Sequence, residues 1–144
     1  MGDSIRERLL DGEELLFRQV HPTWLRDGRP SGQAFTPTKK DKDQLSTACA
    51  SLTSAEQAFV LHVQGRQLKS AGTWAVTVGE CETANVTPYH DPTTSPPETV
   101  ADPAHASVDF SLLPSNSKKE AAGAWLARLA ATRGCLFSLT DVVQ

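Results

Sequence analysis

Residues 73–80 read TWAVTVGE, and this run constrains the fold more than any other stretch. Trp74, Val76 and Val78 alternate with Ala75, Thr77 and Gly79, the period of a β-strand. Both sets are apolar or small, so the spacing predicts a strand covered on both faces, at the centre of a sheet. Segments with helix-start chemistry lie on either side of it. In Thr53-Ser54-Ala55-Glu56 a hydroxyl and a carboxylate three residues apart fit a capping box, and Ala55, Phe59 and Val63 then fall on one helical face. Ala58, Leu61 and Leu68 widen that face, and Gly72 is placed to end it. Ser117-Lys118-Lys119-Glu120 repeats the device before Ala122, Trp125, Leu126 and Leu129, with Gly134 as the stop. Helices are therefore expected at about 53–70 and 117–133.

Other alternating runs supply further strands, at 14–20, 32–36, 44–49, 105–111 and 135–139. A short helix is expected at 3–11, with Ile5 and Leu9 four apart. Arg26-Asp27-Gly28-Arg29-Pro30 is turn chemistry, since Gly28 tolerates a positive φ. The mixed-sign run Lys39-Lys40-Asp41-Lys42-Asp43 reads as a solvated loop. Five of the nine prolines fall in 88–103, which reads as a loop. The expected architecture is a single α+β domain over 1–144. Its sheet is mixed or mostly antiparallel, with two main helices packed on it and a Pro-rich loop at about 88–103. Phe59, Trp74, Val76, Val78, Phe110, Trp125, Leu126 and Phe137 are the expected core.

Composition excludes several functions. Hydrophobic residues at 39% and charged residues at 22% are globular proportions. A net charge of −3 gives no electrostatic case for nucleic acid or an anionic membrane. Apolar runs are too short to span a bilayer, and the charged start lacks the core of a signal peptide. Cys49, Cys81 and Cys135 are too widely spaced for a zinc motif. A soluble, cytoplasmic protein with reduced thiols is expected. Cys49 and Cys135 read as small core residues, while Cys81 sits where an exposed thiol can be placed, between Glu80 and Glu82. Those acids would raise its pKa and argue against a nucleophile. The chain holds no GxxxxGK[ST], GxGxxG, GxSxG or HExxH motif, and neither a metal nor a cofactor is expected.

Chemistry can gather in two places. In the first, Arg18 lies in the apolar strand ELLFRQV, which breaks at His21-Pro22. An arginine drawn inward needs a partner, and Asp91, Asp102 and Asp109 are the expected carboxylates. Ser31 follows the next turn, and Ser46 lies on a neighbouring strand. The second place is the proline loop, where His90, Asp91 and His105 converge if the loop folds back. Ser31, His90, Asp91 and His105 are thus binding candidates. His62 reads as a residue of the helix face.

An arginine on one strand, Ser46 on another and Glu56 beyond resembles NAD-using ADP-ribosyltransferase-like domains. The resemblance implies that Arg18 and His21 hold a dinucleotide and that Ser46 and Glu56 complete a transfer site. The first expectation for function is different. With no complete enzyme motif, the charged N-terminal segment and the proline loop suggest protein contact, as an accessory or regulatory domain of a bacterial multi-component system. An ADP-ribosyltransferase-like or other nucleotide-processing enzyme is the alternative. Geometry separates the two: Arg18, His21, Ser46 and His105 lining one concave pocket would favour the enzyme.

Overall fold

The computed structural model describes residues 6–93 and 101–139. Its strands are β1 (Glu7–Arg8), β2 (Leu15–Val20), β3 (Leu25–Arg26), β4 (Arg29–Pro30), β5 (Gln44–Cys49), β6 (Gly72–Thr77), β7 (Thr87–His90) and β8 (His105–Asp109). The helices are α1 (Ala55–Val60), α2 (Val78–Thr83) and α3 (Asn116–Arg133). Six strands form one sheet in the order β1-β7-β8-β5-β2-β6, and every pairing is antiparallel. The fold is α+β, as expected, although the capping box expected at Ser117–Glu120 does not form: Ser115 Oγ caps α3 by accepting from Lys118 N at 3.2 Å.

The strand period sorts side chains to two faces. On one face Leu16, Val20, Trp74, Val76, Ala106 and Val108 pack with Leu126 and Ala130 of α3. On the other, Phe17, Ala48, Ala75 and Ala104 pack with Ala55 and Ala58 of α1. The sheet thus lies between the helices. This explains the two apolar sides of 73–80 without a central position. β6 is the edge strand, and its free side takes the Arg133 Nη1 donation to Ala75 O at 2.8 Å and the Thr73–Phe137 bridge. The strand expected at 135–139 is reduced to that contact. Of the expected core, Phe59, Trp74, Val76, Val78, Phe110 and Leu126 are buried, whereas Trp125 and Phe137 are only partly so.

Other differences have local causes. Within 3–11 the described residues form β1 rather than a helix. The Arg6 guanidinium lies 4.0 Å from the Tyr89 ring centroid and bonds Asp109 at 3.1 Å and Gln44 at 2.8 Å, fixing the segment along β7. Residues 78–80 leave the strand because Thr77 and Glu80 form a capping box: Glu80 N donates to Thr77 Oγ1 at 3.0 Å, and Thr77 N to Glu80 Oε1 at 2.9 Å. Residues 32–35 make a 3-10 turn instead of a strand, lying against α3. There a Cβ on Gly123 would overlap Thr36 Oγ1 and stand 3.0 Å from Phe35 O. Asp27 and Gly28 both take positive φ, 54° and 76°, which makes the tight turn between β3 and β4. Pro88 lies inside β7, and 94–100 of the proline loop falls outside the described residues.

The helix expected at 53–70 is shorter and begins at a different cap. Ser54 Oγ, not Thr53, accepts from Gln57 N at 3.1 Å. After Val60 the helix widens to a π-turn over Leu61–Gly65, closed by Arg66 N donating to Leu61 O at 2.9 Å, and then ends. A second irregularity faces this turn. β2 pairs with β6 over six residues but with β5 over only two, Leu16 with Cys49 and Phe17 with Ala48. Beyond Phe17 the two strands part.

Candidate anion-binding cleft

A cleft of about 580 Å³ opens where β2 and β5 part. Phe17 and Gln19 of β2, Ser46 and Ala48 of β5, and His105 at the start of β8 contribute from the face that α1 covers. Leu61, His62, Arg66, Leu68 and Lys69 line it from the π-turn and the following loop. His21 and Trp24 line it from the turn after β2, and Thr38, Lys40 and Asp41 from the short helix before β5. Arg18, His21, Ser46 and His105 therefore meet in one concavity. Three of the chain's four histidines line it. So do four cations against two carboxylates, in a chain that is acidic as a whole.

Arg18 fills the gap between the parting strands. Its Nε donates to Ala34 O at 2.7 Å and its Nη1 to Ser46 O at 3.0 Å. Its guanidinium carbon stands 5.2 Å from the Trp24 ring centroid, within cation–π range. No carboxylate pairs with it among the described residues. The expected partners are engaged elsewhere, Asp102 with Arg66 at 3.3 Å and Asp109 with Arg6 at 3.1 Å. Asp91 accepts from Ser107 Oγ at 2.8 Å. Burial pulls the Arg18 pKa down to about 10, against the opposing field of Asp41. The group stays cationic at neutral pH; carbonyl dipoles, the Trp24 ring and the more distant Asp41 carboxylate answer its charge, but no described carboxylate pairs with it directly. Two of its five N–H donors are used, which leaves three.

The histidines are held in place. His21 Nδ1 accepts from Thr23 N at 3.1 Å and caps the turn Pro22–Trp24; its ring centroid is 5.7 Å from that of Trp24. His62 Nε2 lies 3.3 Å from Lys69 O. Burial lowers the His62 pKa, together with Arg18, Arg66 and His21, while the Lys69 carbonyl opposes the shift. His105 is buried, with Nδ1 2.9 Å from Asp91 O.

The remaining candidates lie outside the cleft. Glu56 is exposed on the first turn of α1 and does not line it. Ser31 Oγ is buried with no hydrogen-bond partner among the described residues, while its N–H donates to Trp24 O at 2.9 Å. His90 and Asp91 do come back beside β8: His90 Nε2 is 2.8 Å from Pro103 O, and Asp91 N donates to His105 O at 2.9 Å. They form no metal site, since no group of three ligating side chains exists among the described residues. Cys81 is buried in α2 rather than exposed, and burial with Glu80 and Glu82 pushes its thiol up to about 12. Burial also raises Cys49 to about 12. Cys135, expected in the core, is exposed.

Arg66 and Lys69 were not singled out by the sequence, Lys40 was read only as part of a solvated loop, and Asp102 was expected only as a partner for Arg18. The π-turn that swings Arg66 and Lys69 toward β5 has no residue signature. Gly65, at its end, is the only local hint of a break. No described helix is long and apolar enough to cross a membrane. Comparison with protein-family models, with curated proteins and with solved structures found no match to this chain.

Proposed function

We propose that this protein binds a small anionic molecule in the cleft between β2 and β5. Arg18 carries the reading. It is a partly buried cation with no carboxylate partner among the described residues and three donors left, at a cavity large enough for a nucleotide-sized ligand. A charge without a direct ion-pair partner in a partly dry site favours a counter-charge over water. Lys40 and Lys69 join no ion pair among the described residues and add to the same field. This reading belongs with the nucleotide-processing alternative rather than with protein contact. The large exposed apolar side chains, Leu10, Leu52, Val60, Leu68, Leu112, Leu136 and Leu139, are spread along the chain, whereas Arg18, His21, Ser46 and His105 line one cleft.

The proposal is one of binding, without group transfer. Glu56 is absent from the cleft, and both lining carboxylates are engaged. Asp41 accepts from Thr38 N and Oγ1, at 2.8 and 2.7 Å, and Asp102 accepts from Arg66 and Ala104 N. The test is calorimetric titration with pyrophosphate of the wild type, Lys40→Gln and Lys69→Gln. Binding that weakens severalfold in each variant, at unchanged melting temperature, supports the site. No binding at millimolar pyrophosphate, or equal binding in both variants, overturns it.

A further inference from the structure

The tautomer of His105 narrows the ligand further. Its Nδ1 faces the Asp91 carbonyl oxygen at 2.9 Å. A carbonyl only accepts, so in the neutral ring Nδ1 carries the proton and Nε2 keeps a lone pair. That assignment follows from the acceptor-only partner. No described group donates to Nε2. His62 is set in the same sense. In the neutral ring its Nε2–H points to the Lys69 carbonyl, leaving Nδ1 as an acceptor, and burial favours that neutral form. A cleft built only for a bare anion would present donors alone. This one pairs an arginine with two ring nitrogens that accept.

We infer that the ligand is a hydroxylated anion of the sugar-phosphate type, its acidic group on Arg18 and a hydroxyl donating to His105 Nε2. The inference rests on the anion-binding reading and adds to it the need for a donor on the ligand. His62 Nδ1 is the second acceptor for a polyol. A ribose or hexose phosphate has this chemistry and fits a volume of about 580 Å³.

The test compares glucose 6-phosphate with cyclohexylmethyl phosphate by calorimetry at pH 8. The two carry the same phosphate on a similar ring, with and without hydroxyls. Gluconate, a hydroxylated carboxylate, shows whether phosphate itself is required. The wild type is expected to favour a hydroxylated anion about tenfold over cyclohexylmethyl phosphate, the size of one well-made hydrogen bond. His105→Phe should erase the preference, and His105→Gln, which keeps an acceptor, should retain part of it. Should the phenylalanine variant fail to fold, the glutamine variant and the wild-type ratio still decide. Equal affinity for the hydroxylated and bare anions in the wild type overturns the inference and leaves the anion site standing. So does a preference that survives in His105→Phe. Absence of binding by all three compounds and by pyrophosphate overturns both.

Discussion

Replacing Arg18 by methionine keeps most of the aliphatic stem and removes the guanidinium. Two carbonyls lose their donor, Ala34 O at 2.7 Å and Ser46 O at 3.0 Å. Ser46 is exposed, so water replaces that bond at little cost. Ala34 is fully buried, and an unsatisfied buried carbonyl costs roughly 1–3 kcal/mol. Against this, the variant no longer has to hold a partly dehydrated cation. The net expectation is a loss of about 1–2 kcal/mol, or roughly 3–8 °C in melting temperature for a domain of this size. Had Arg18 paired with a buried carboxylate, the loss would be about 3–5 kcal/mol. Urea unfolding followed by tryptophan fluorescence measures the difference. A loss above about 4 kcal/mol would reveal a carboxylate partner and refute the absence of a direct ion pair. No loss would mean that the guanidinium does not hold the Ala34 carbonyl. Arg18→Lys separates charge from geometry: the ammonium keeps attraction for anions but cannot bridge both carbonyls, so binding should recover more than stability.

Glu80 accepts from Arg133 at 2.9 and 3.2 Å and from Thr77 N. Burial raises its pKa, but those bonds together outweigh burial and the folded-state value lies below the ordinary one of 4.5. A depressed acid contributes stability above its unfolded pKa and loses it as pH falls through the folded one. The melting-temperature gap between wild type and Glu80→Gln should therefore be full at pH 6–7 and close as pH drops below about 4.5. Gly123→Ala drives a methyl into the Thr36 hydroxyl and toward the Phe35 and Gly32 carbonyls, and thermal melts should show a loss of about 1–3 kcal/mol. Cys49 and Cys81 should resist iodoacetamide at pH 8 in the folded protein and react once urea unfolds it, as mass spectrometry would show.

The sequence disclosed elements wherever a local signal was unopposed. The strands at 14–20 and 44–49 and the helix at 117–133 all follow from period and turn chemistry, and they appear within a residue or two of their expected ends. The errors arose where two local signals competed. Thr77 and Glu80 carry both a strand alternation and a capping box, and the box wins from Val78 onward. Arg18 was recognisable as an inward cation, but its partners are backbone carbonyls. No residue pattern encodes a carbonyl partner, so the carboxylate search was misdirected. The convergence of His21, Ser46 and His105 depends on β5 lying between β2 and β8, a long-range pairing invisible to local reading. Lys69 and Arg66 enter the cleft through a π-turn, whose extra residue shifts the helical phase without changing composition.

The central claim is that anions bind between the parting strands β2 and β5. Pyrophosphate titrated into uniformly labelled protein and followed by amide and side-chain NMR tests it most directly. The account predicts shifts concentrated at the Arg18 Nε–H, the Ser46 amide and the His105 ring, saturating together at one affinity. Shifts that leave these three groups unmoved, or that spread over Arg8, Arg26 and Arg128 on the exposed surface, would contradict it.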